Sequence, residues 1–265
     1  MVNDESRKFI IHRSSFIITY LNLSREQKLR AVVRQSQPDL TVVLENIFDP
    51  LNISAVLRSC DAVGVREIFA VYTKQYLAKR GLVLGKRTSG GAFKWIDVYV
   101  FDDLEECFSR VKARYGRVLA THLGSESQSL YEIDLSEPTA LLFGNEDEGI
   151  SAEALSLSDG NFVIPMAGFA ESLNISVACA IALFEAKRQR SAKGFYDENP
   201  RLDAAQQEQL FQRWGGMLKE KSWLQQLAIP VGKDSGPLLP VYVQRDPKTP
   251  PKKQVRPAPL TNFDL

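Results

Sequence analysis

Two hydrophobic periods alternate along the chain. Short apolar runs at Thr41–Leu44, Glu67–Val71, Trp95–Val98, Val118–Thr121, Thr139–Phe143 and Phe162–Ile164 predict buried strands. Between them, apolar residues return every three or four positions and predict helices. Ser24-Arg25-Glu26-Gln27 fits a capping box that opens a helix to about Gln37, where Pro38 ends it. A second helix begins near Asn52, carries Ala55, Val56, Cys60 and Val63 on its apolar side, and stops at Gly64. Asp102 opens a third, to about Tyr115, and Ser151 caps a fourth. From Ser172 to about Arg190, Leu173, Val177, Ala180, Ile181 and Phe184 recur at helical spacing and predict the buried face of a fifth helix. Asp203 caps a last helix bearing Leu210, Phe211 and Trp214. Strands alternating with helices imply an α/β fold with a parallel sheet and right-handed crossovers.

Three strand ends run into polar loops: Glu45 to Pro50, Gly144 to Ser151, and Pro165 to Asn174. Open parallel sheets bind their ligands at the carboxyl ends of the strands, where these loops fall. Ser172 and Asn174 sit in the predicted first helical turn, a position that can cap a helix or hold a polar ligand. Asn52 and Arg58 are six residues apart and meet only if Asn52 lies in the entry loop and Arg58 leans back toward it. The basic, glycine-containing loop Lys86-Arg87-Thr88-Ser89-Gly90-Gly91 can bind an anion but lacks a phosphate-loop or dinucleotide fingerprint. His122 at a strand end reads as structural, and Glu146, Asp147 and Glu148 lack calcium-loop spacing.

Composition narrows the class. The 265 residues are 44% hydrophobic and 25% charged, as in ordinary globular proteins. No apolar run reaches the roughly 20 residues of a membrane span. Cys60, Cys107 and Cys179 are scattered and without metal-ligand spacing, so no metal site is expected and a cytoplasmic location is. A net charge of +1 means that nucleic acid, if bound, must be held by local basic patches. Candidates are the helix face Arg25, Lys28, Arg30 and Arg34, the loop Lys86-Arg87, and the segment around Arg188 and Arg190. Beyond Ile229 the chain is rich in proline and lysine, a composition expected to bury no core. The expected organisation is a helical extension over 1–38, an α/β domain over 39–190, a second helical extension over 191–228, and a flexible tail over 229–265.

The three loops together resemble a known family. Leu44-Glu45-Asn46-Ile47-Phe48-Asp49-Pro50-Leu51-Asn52 through Arg58 to Gly64-Val65 resembles the first motif of the SpoU branch of the SPOUT methyltransferases. Gly144-x-Glu146-x-x-Gly149-x-Ser151 resembles the second, and Ile164-Pro165-Met166 through Ser172-Leu173-Asn174 the third. The resemblance covers roughly residues 24 to 215 and is closest to the tRNA guanosine-2′-O methyltransferase subgroup. It implies a trefoil knot in the carboxyl half, a homodimer, S-adenosyl-L-methionine as methyl donor, and the ribose 2′-hydroxyl of guanosine-18 in the tRNA D-loop as acceptor.

By that resemblance Arg58 activates the ribose hydroxyl and Asn52 positions Arg58, with Glu146, Ser172 and Asn174 completing the site. An arginine side chain stays protonated at physiological pH, so a substrate phosphate must assist it. Thr121, Gly144, Ile164 and Leu173 match cofactor-contact positions, while Arg188 and Arg190 match basic positions used for tRNA. Two alternatives are a ribosomal RNA 2′-O-ribose methyltransferase of the same superfamily and an RNA-binding scaffold that has lost catalysis. The intact Asn52, Arg58, Glu146, Ser172 and Asn174 weigh against the second. A generic nucleotide-binding protein would carry a glycine fingerprint that this chain lacks.

Overall fold

The computed structural model describes residues 24–74, 91–124, 126–220 and 229–231. Expectations for residues 1–23, for the Lys86-Arg87 loop and for the tail beyond 231 lie outside these. The described residues form α1 (Arg25–Arg34), β1 (Leu40–Glu45), α2 (Pro50–Val63), β2 (Glu67–Val71), β3 (Asp97–Phe101), α3 (Leu104–Tyr115) and β4 (Val118–Thr121). They continue with β5 (Gln128–Ser129), β6 (Thr139–Phe143), α4 (Ala152–Leu157), β7 (Gly160–Val163), α5 (Ile175–Ala192), α6 (Ala204–Glu220) and β8 (Ile229–Pro230).

The strands make one sheet in the order β5-β7-β4-β6-β1-β2-β3-β8, and every pairing is parallel. A parallel sheet must be covered on both faces, which is why β1, β2 and β6 are buried at every residue. On one face α2 and α5 contribute Val56, Leu57, Cys60 and Val63 with Cys179, Ala182, Leu183 and Ala186. On the other, α3 and α4 contribute Cys107, Phe108, Val111 and Ala154. Because all strands point the same way, the ends of β7, β4, β6 and β1 stand side by side along one edge. The three cysteines are buried and form no disulfide.

Local signals explain most boundaries. Ser24 and Gln27 form the reciprocal capping box, although α1 stops at Arg34 rather than Gln37. Gly64 ends α2 in the left-handed conformation at φ 87°, and its hydrogen would be replaced by a Cβ only 2.4 Å from the Gln35 carbonyl. Strand β3 begins two residues later than expected. Ala92–Lys94 forms a 3-10 turn instead, and Trp95 leaves the sheet to meet Trp214 of α6 edge-on at 5.2 Å. The cap of α3 is Asp103, which accepts from the Glu106 amide, and not Asp102. Helices α1 and α6 pack on each other through Val33, Leu202, Leu210 and Trp214. The expectation that nothing after Ile229 joins the core needs correction: β8 pairs with β3 and Val231 is buried.

The largest departure concerns Arg190, expected to contact tRNA. Its guanidinium is fully buried. Nε donates to the Leu135 carbonyl at 2.9 Å, and Nη1 to Gln37 at 3.2 Å and Asp39 at 2.6 Å. Nη2 donates to the Asp39 and Glu137 carbonyls at 3.3 and 3.0 Å. All five donors are thereby used, and Asp39 turns its other oxygen to Arg201. Arg190 therefore holds the end of α5 against the start of β1 and has nothing left for phosphate. Arg190→Ala should destabilise the chain by about 3–5 kcal/mol, since it strands part of a buried charge network. Arg190→Lys should also destabilise it, because an ammonium cannot fill the planar fork. Denaturant unfolding of both variants checks this; a parental midpoint in either contradicts the role.

At the opposite end of the sheet from the loops, the buried Glu67 accepts from Arg114 at 2.7 Å and from the Tyr115 hydroxyl. Burial outweighs the help of Arg114 and Tyr115 and pushes its carboxyl from 4.5 up to about 7. The folded chain then binds this proton more tightly than the unfolded chain, so stability contributed here falls as pH rises from 4.5 to about 7. Denaturation of the parent and of Glu67→Gln should show a difference that declines across that window and is level above it.

Candidate active site

The site is built from the loop after β1, the loop after β6 and the loop before α5. In the first, Asp49 caps α2 by accepting from the Leu51 amide at 2.8 Å, and Pro50 takes a first-turn place where no donor is needed. This sets Asn52 one turn into the helix, facing inward. In the second, Asn145 and Gly149 exchange two backbone hydrogen bonds of 2.8 and 2.9 Å and close a tight loop. Gly144 permits that closure, because a Cβ there would lie 2.3 Å from the Gly149 backbone. The loop holds Glu146 out over the end of β1. In the third, Asn174 caps α5 by accepting from the Ser176 amide at 2.9 Å.

One hydrogen-bonded chain joins the three. Asn174 Nδ2 donates to Asn52 Oδ1 at 3.0 Å, and Asn52 Nδ2 donates to Glu146 Oε1 at 2.8 Å. The Phe48 and Asp49 amides also donate to the carboxylate, at 3.1 and 3.3 Å. Because an ionised carboxylate only accepts, it fixes the orientation of the Asn52 amide, which in turn fixes that of Asn174. Partial burial raises the Glu146 pKa, but the donors from Asn52 and the backbone outweigh it and hold the carboxyl below its ordinary value.

The structure thus brings Asn52, Glu146 and Asn174 together and leaves Arg58 and Ser172 apart from them. The Asn52 amide bonds to Glu146 and Asn174 and not to Arg58, and six helical residues separate the two by about 9 Å along the axis. Arg58 projects from the exposed side of α2. Ser172 is not in the first turn of α5, which begins at Ile175; it lies exposed in the preceding loop. Among the cofactor candidates, Ile164, Thr121 and Gly144 stand at the ends of the adjacent strands β7, β4 and β6. The Thr121 hydroxyl donates to the Leu142 carbonyl at 3.0 Å, and Leu173 is half-buried beside the Asn174 cap.

The basic candidates divide. Arg30 lies 3.7 Å over the Phe211 ring and bonds Glu208 and Glu26 at 2.9 and 3.2 Å, while Arg34 donates to the Asp197 carbonyl. Both first serve to fasten α1 to the carboxyl-terminal segment. Arg25 and Lys28 are exposed on α1, and Arg188 is 68% exposed although bridged to Glu185. Asn46 and Asn145, which tie the loops beneath Glu146, were not among the residues singled out from the sequence. Each is a polar amide placed directly or within two positions after an apolar strand, and that position was the available signal.

Comparison with known proteins agrees with this geometry. The sequence model of the SpoU rRNA Methylase family matches residues 39–184. The tRNA (guanosine(18)-2′-O)-methyltransferase of Thermus thermophilus is 46% identical over 191 residues, covering 72% of this chain and 95% of that protein. Its counterpart in Escherichia coli K12 is 37% identical over 191 residues, covering 72% and 81%. Among solved structures, the A. aeolicus TrmH/SpoU tRNA modifying enzyme superimposes with a TM-score of 0.65 at 35% identity, covering 72% of this chain and 95% of that one. With more than half of its residues inside the family model and its motif loops joined at one sheet edge, the chain belongs to the SpoU methylase family.

Proposed function

We propose that this chain transfers a methyl group from S-adenosyl-L-methionine to the ribose 2′-hydroxyl of guanosine-18 in the tRNA D-loop. The observation that carries the reading is the Asn174–Asn52–Glu146 chain, which draws the three family motifs to one place. The relatives named above carry guanosine-18 2′-O-methylation of tRNA in their names and are 46% and 37% identical to this chain over 191 aligned residues. Residues 165–172 fit such a cofactor. They are exposed and make no backbone hydrogen bond among the described residues, so their peptide groups are open to a ligand. Ile164, Thr121, Gly144 and Leu173 would hold it, and when bound it supplies a methyl group already made electrophilic by its sulfonium. No metal is needed for that displacement. The protein's part is to place the hydroxyl in line and assist loss of its proton. Glu146, Asn52 and Asn174 shape the floor of the site, Arg58 activates the hydroxyl with help from an RNA phosphate, and Ser172 reaches the site from its exposed loop.

The same proposal includes a homodimer in the cytoplasm and the knotted carboxyl half. Helix α5 is apolar on two faces. Cys179, Ala182, Leu183 and Ala186 face the core, but Val177 and Phe184 are 46% and 50% exposed, against the expectation that they would be buried. A helix apolar all round needs cover on both sides. Phe48 and Leu51 lie exposed as well, beside the site, so a second copy covering this surface would also border the active site. Of the basic candidates, Arg25, Lys28 and Arg188 are exposed and would meet tRNA.

Mass mapping of unmodified tRNA incubated with the protein and S-adenosylmethionine should find one added ribose methyl, at guanosine-18. Methylation of ribosomal RNA in its place overturns the tRNA assignment. Arg58→Ala and Arg58→Lys should each lower turnover on the order of 10²–10⁴-fold while calorimetric cofactor binding persists. A Lys variant with normal turnover removes Arg58 from the chemistry. Sedimentation should show a dimer for the parent and monomers for Phe184→Glu; a parent that sediments as a monomer rejects the second copy.

A further inference from the structure

Beneath the proposed site runs a closed circuit of residues to which the family reading gives no role. Among the described residues Asn46 is the one non-glycine with a left-handed backbone, at φ 53°, and it is 4% exposed. Asparagine tolerates this region better than most residues do. Its side chain spans to the loop after β2: Oδ1 accepts from the Thr73 and Lys74 amides at 3.0 and 3.3 Å, and Nδ2 donates to the Thr73 hydroxyl at 2.9 Å. Its carbonyl accepts from Asn145 Nδ2 at 2.7 Å, which reaches into the loop after β6. Asn145 Oδ1 in turn accepts from the Asp147 and Glu148 amides at 2.9 and 3.1 Å, on the carboxyl side of Glu146. Lys74 then bridges to Glu148 at 2.5 Å and closes the ring.

We infer that Asn46 is a positioning residue for methyl transfer, acting through Glu146. The inference rests on the methyl-transfer reading above. Two of the donors to the Glu146 carboxylate are the amides of Phe48 and Asp49, two and three residues after Asn46. The segment that bears Glu146 is folded by Asn145, whose own amide is held by the Asn46 carbonyl. Asn46 therefore sets both the carboxylate and its donors in one frame. Its backbone supplies the turn, and its side chain prevents the turn from swinging against the neighbouring strand end. Glu148 is 69% exposed, so solvent screens its pair with Lys74, which adds little by itself. The buried amides carry the brace, since their groups have no water to fall back on.

Asn46→Gly is the informative variant, because glycine keeps the left-handed backbone without strain and removes only the side-chain links. Turnover per folded molecule should fall by about 10-fold or more, as small misplacements in a catalytic frame do. KM for tRNA and for S-adenosylmethionine should stay at parental values, the pattern of an interaction made only in the transition state. Asn46→Asp keeps an oxygen that accepts from both amides and takes the Thr73 hydroxyl proton on its second oxygen, so it should recover most of the turnover. Hydrogen exchange of the Phe48 and Asp49 amides, measured without RNA or cofactor, should quicken in Asn46→Gly and return in Asn46→Asp. Parental turnover in Asn46→Gly overturns the inference, as does lost turnover with unchanged exchange at those two amides. Quickened exchange in a chain whose parent methylates no RNA keeps the brace and overturns the methyl-transfer reading instead.

Discussion

The arrangement at the sheet edge depends on one carboxylate. Glu146 collects two backbone amides and the Asn52 side chain, and bonds to an ionised acceptor are about twice as strong as neutral ones. The bonds have a structural consequence beyond their energy. They tie the loop after β6 to the loop after β1, and these strands are neighbours in the sheet. They also orient the Asn52 amide so that only its oxygen is left for Asn174. Without an ionised Glu146 the Phe48 and Asp49 amides and the Asn52 amide lose their common acceptor, while the Asn145–Asn46 bond still joins the two loops. The parallel sheet makes this possible, because only a sheet with all strands aligned delivers these loops to a common edge.

Helix α5 carries the same order through the domain. It has 18 residues, a rod of about 27 Å. Asn174 is fixed at its start by the site, and Arg190 is fixed near its end by Asp39, Gln37 and three carbonyls. Asp39 immediately precedes β1, the strand whose far end feeds the first loop. Helix α5 is thus tied to α2 at its start and to the residue before β1 near its end, with Val42, Leu44, Cys179 and Leu183 in one buried cluster. The position of Asn174 is therefore set as much by a buried ion pair remote from the site as by its own hydrogen bonds.

What could be read in the sequence follows from the range of the interactions. The Ser24 box, the Gly64 stop and the Ser151 cap close within a few residues, so a local pattern contains them. Strands β1, β2, β4 and β6 were legible because burial on both faces leaves unbroken apolar runs. Arg190 was misread because three basic residues in four positions look like one patch. On a helix, neighbours diverge by about 100°, and Arg190 points to an aspartate 151 residues earlier. The face of α5 was misread because both of its sides are apolar, and period alone does not say which side meets the sheet. Asn46 and Asn145 escaped notice for a similar reason: their bond spans 99 residues, and neither belongs to a pattern until the strands are placed side by side.

The geometry also separates positioning from proton transfer. Glu146 looks at first like a general base, but its carboxyl is held below its ordinary value. Three donors already engage it, and so weak a base is poorly matched to a ribose hydroxyl. The amides of Asn52 and Asn174 are not bases; one is bonded to Glu146 and Asn174, and the other's Oδ1 is engaged by the Ser176 amide and hydroxyl. None of the three residues joined in the frame is therefore free to take the proton. In the proposed reaction that task falls to Arg58, which stands outside the frame on the exposed side of α2 and needs an RNA phosphate beside it. Activation would then depend on the RNA being bound, while the frame is complete without it. An enzyme divided in this way keeps its hydroxyl-activating group incomplete until the correct backbone phosphate arrives, which links the chemistry to recognition of the RNA.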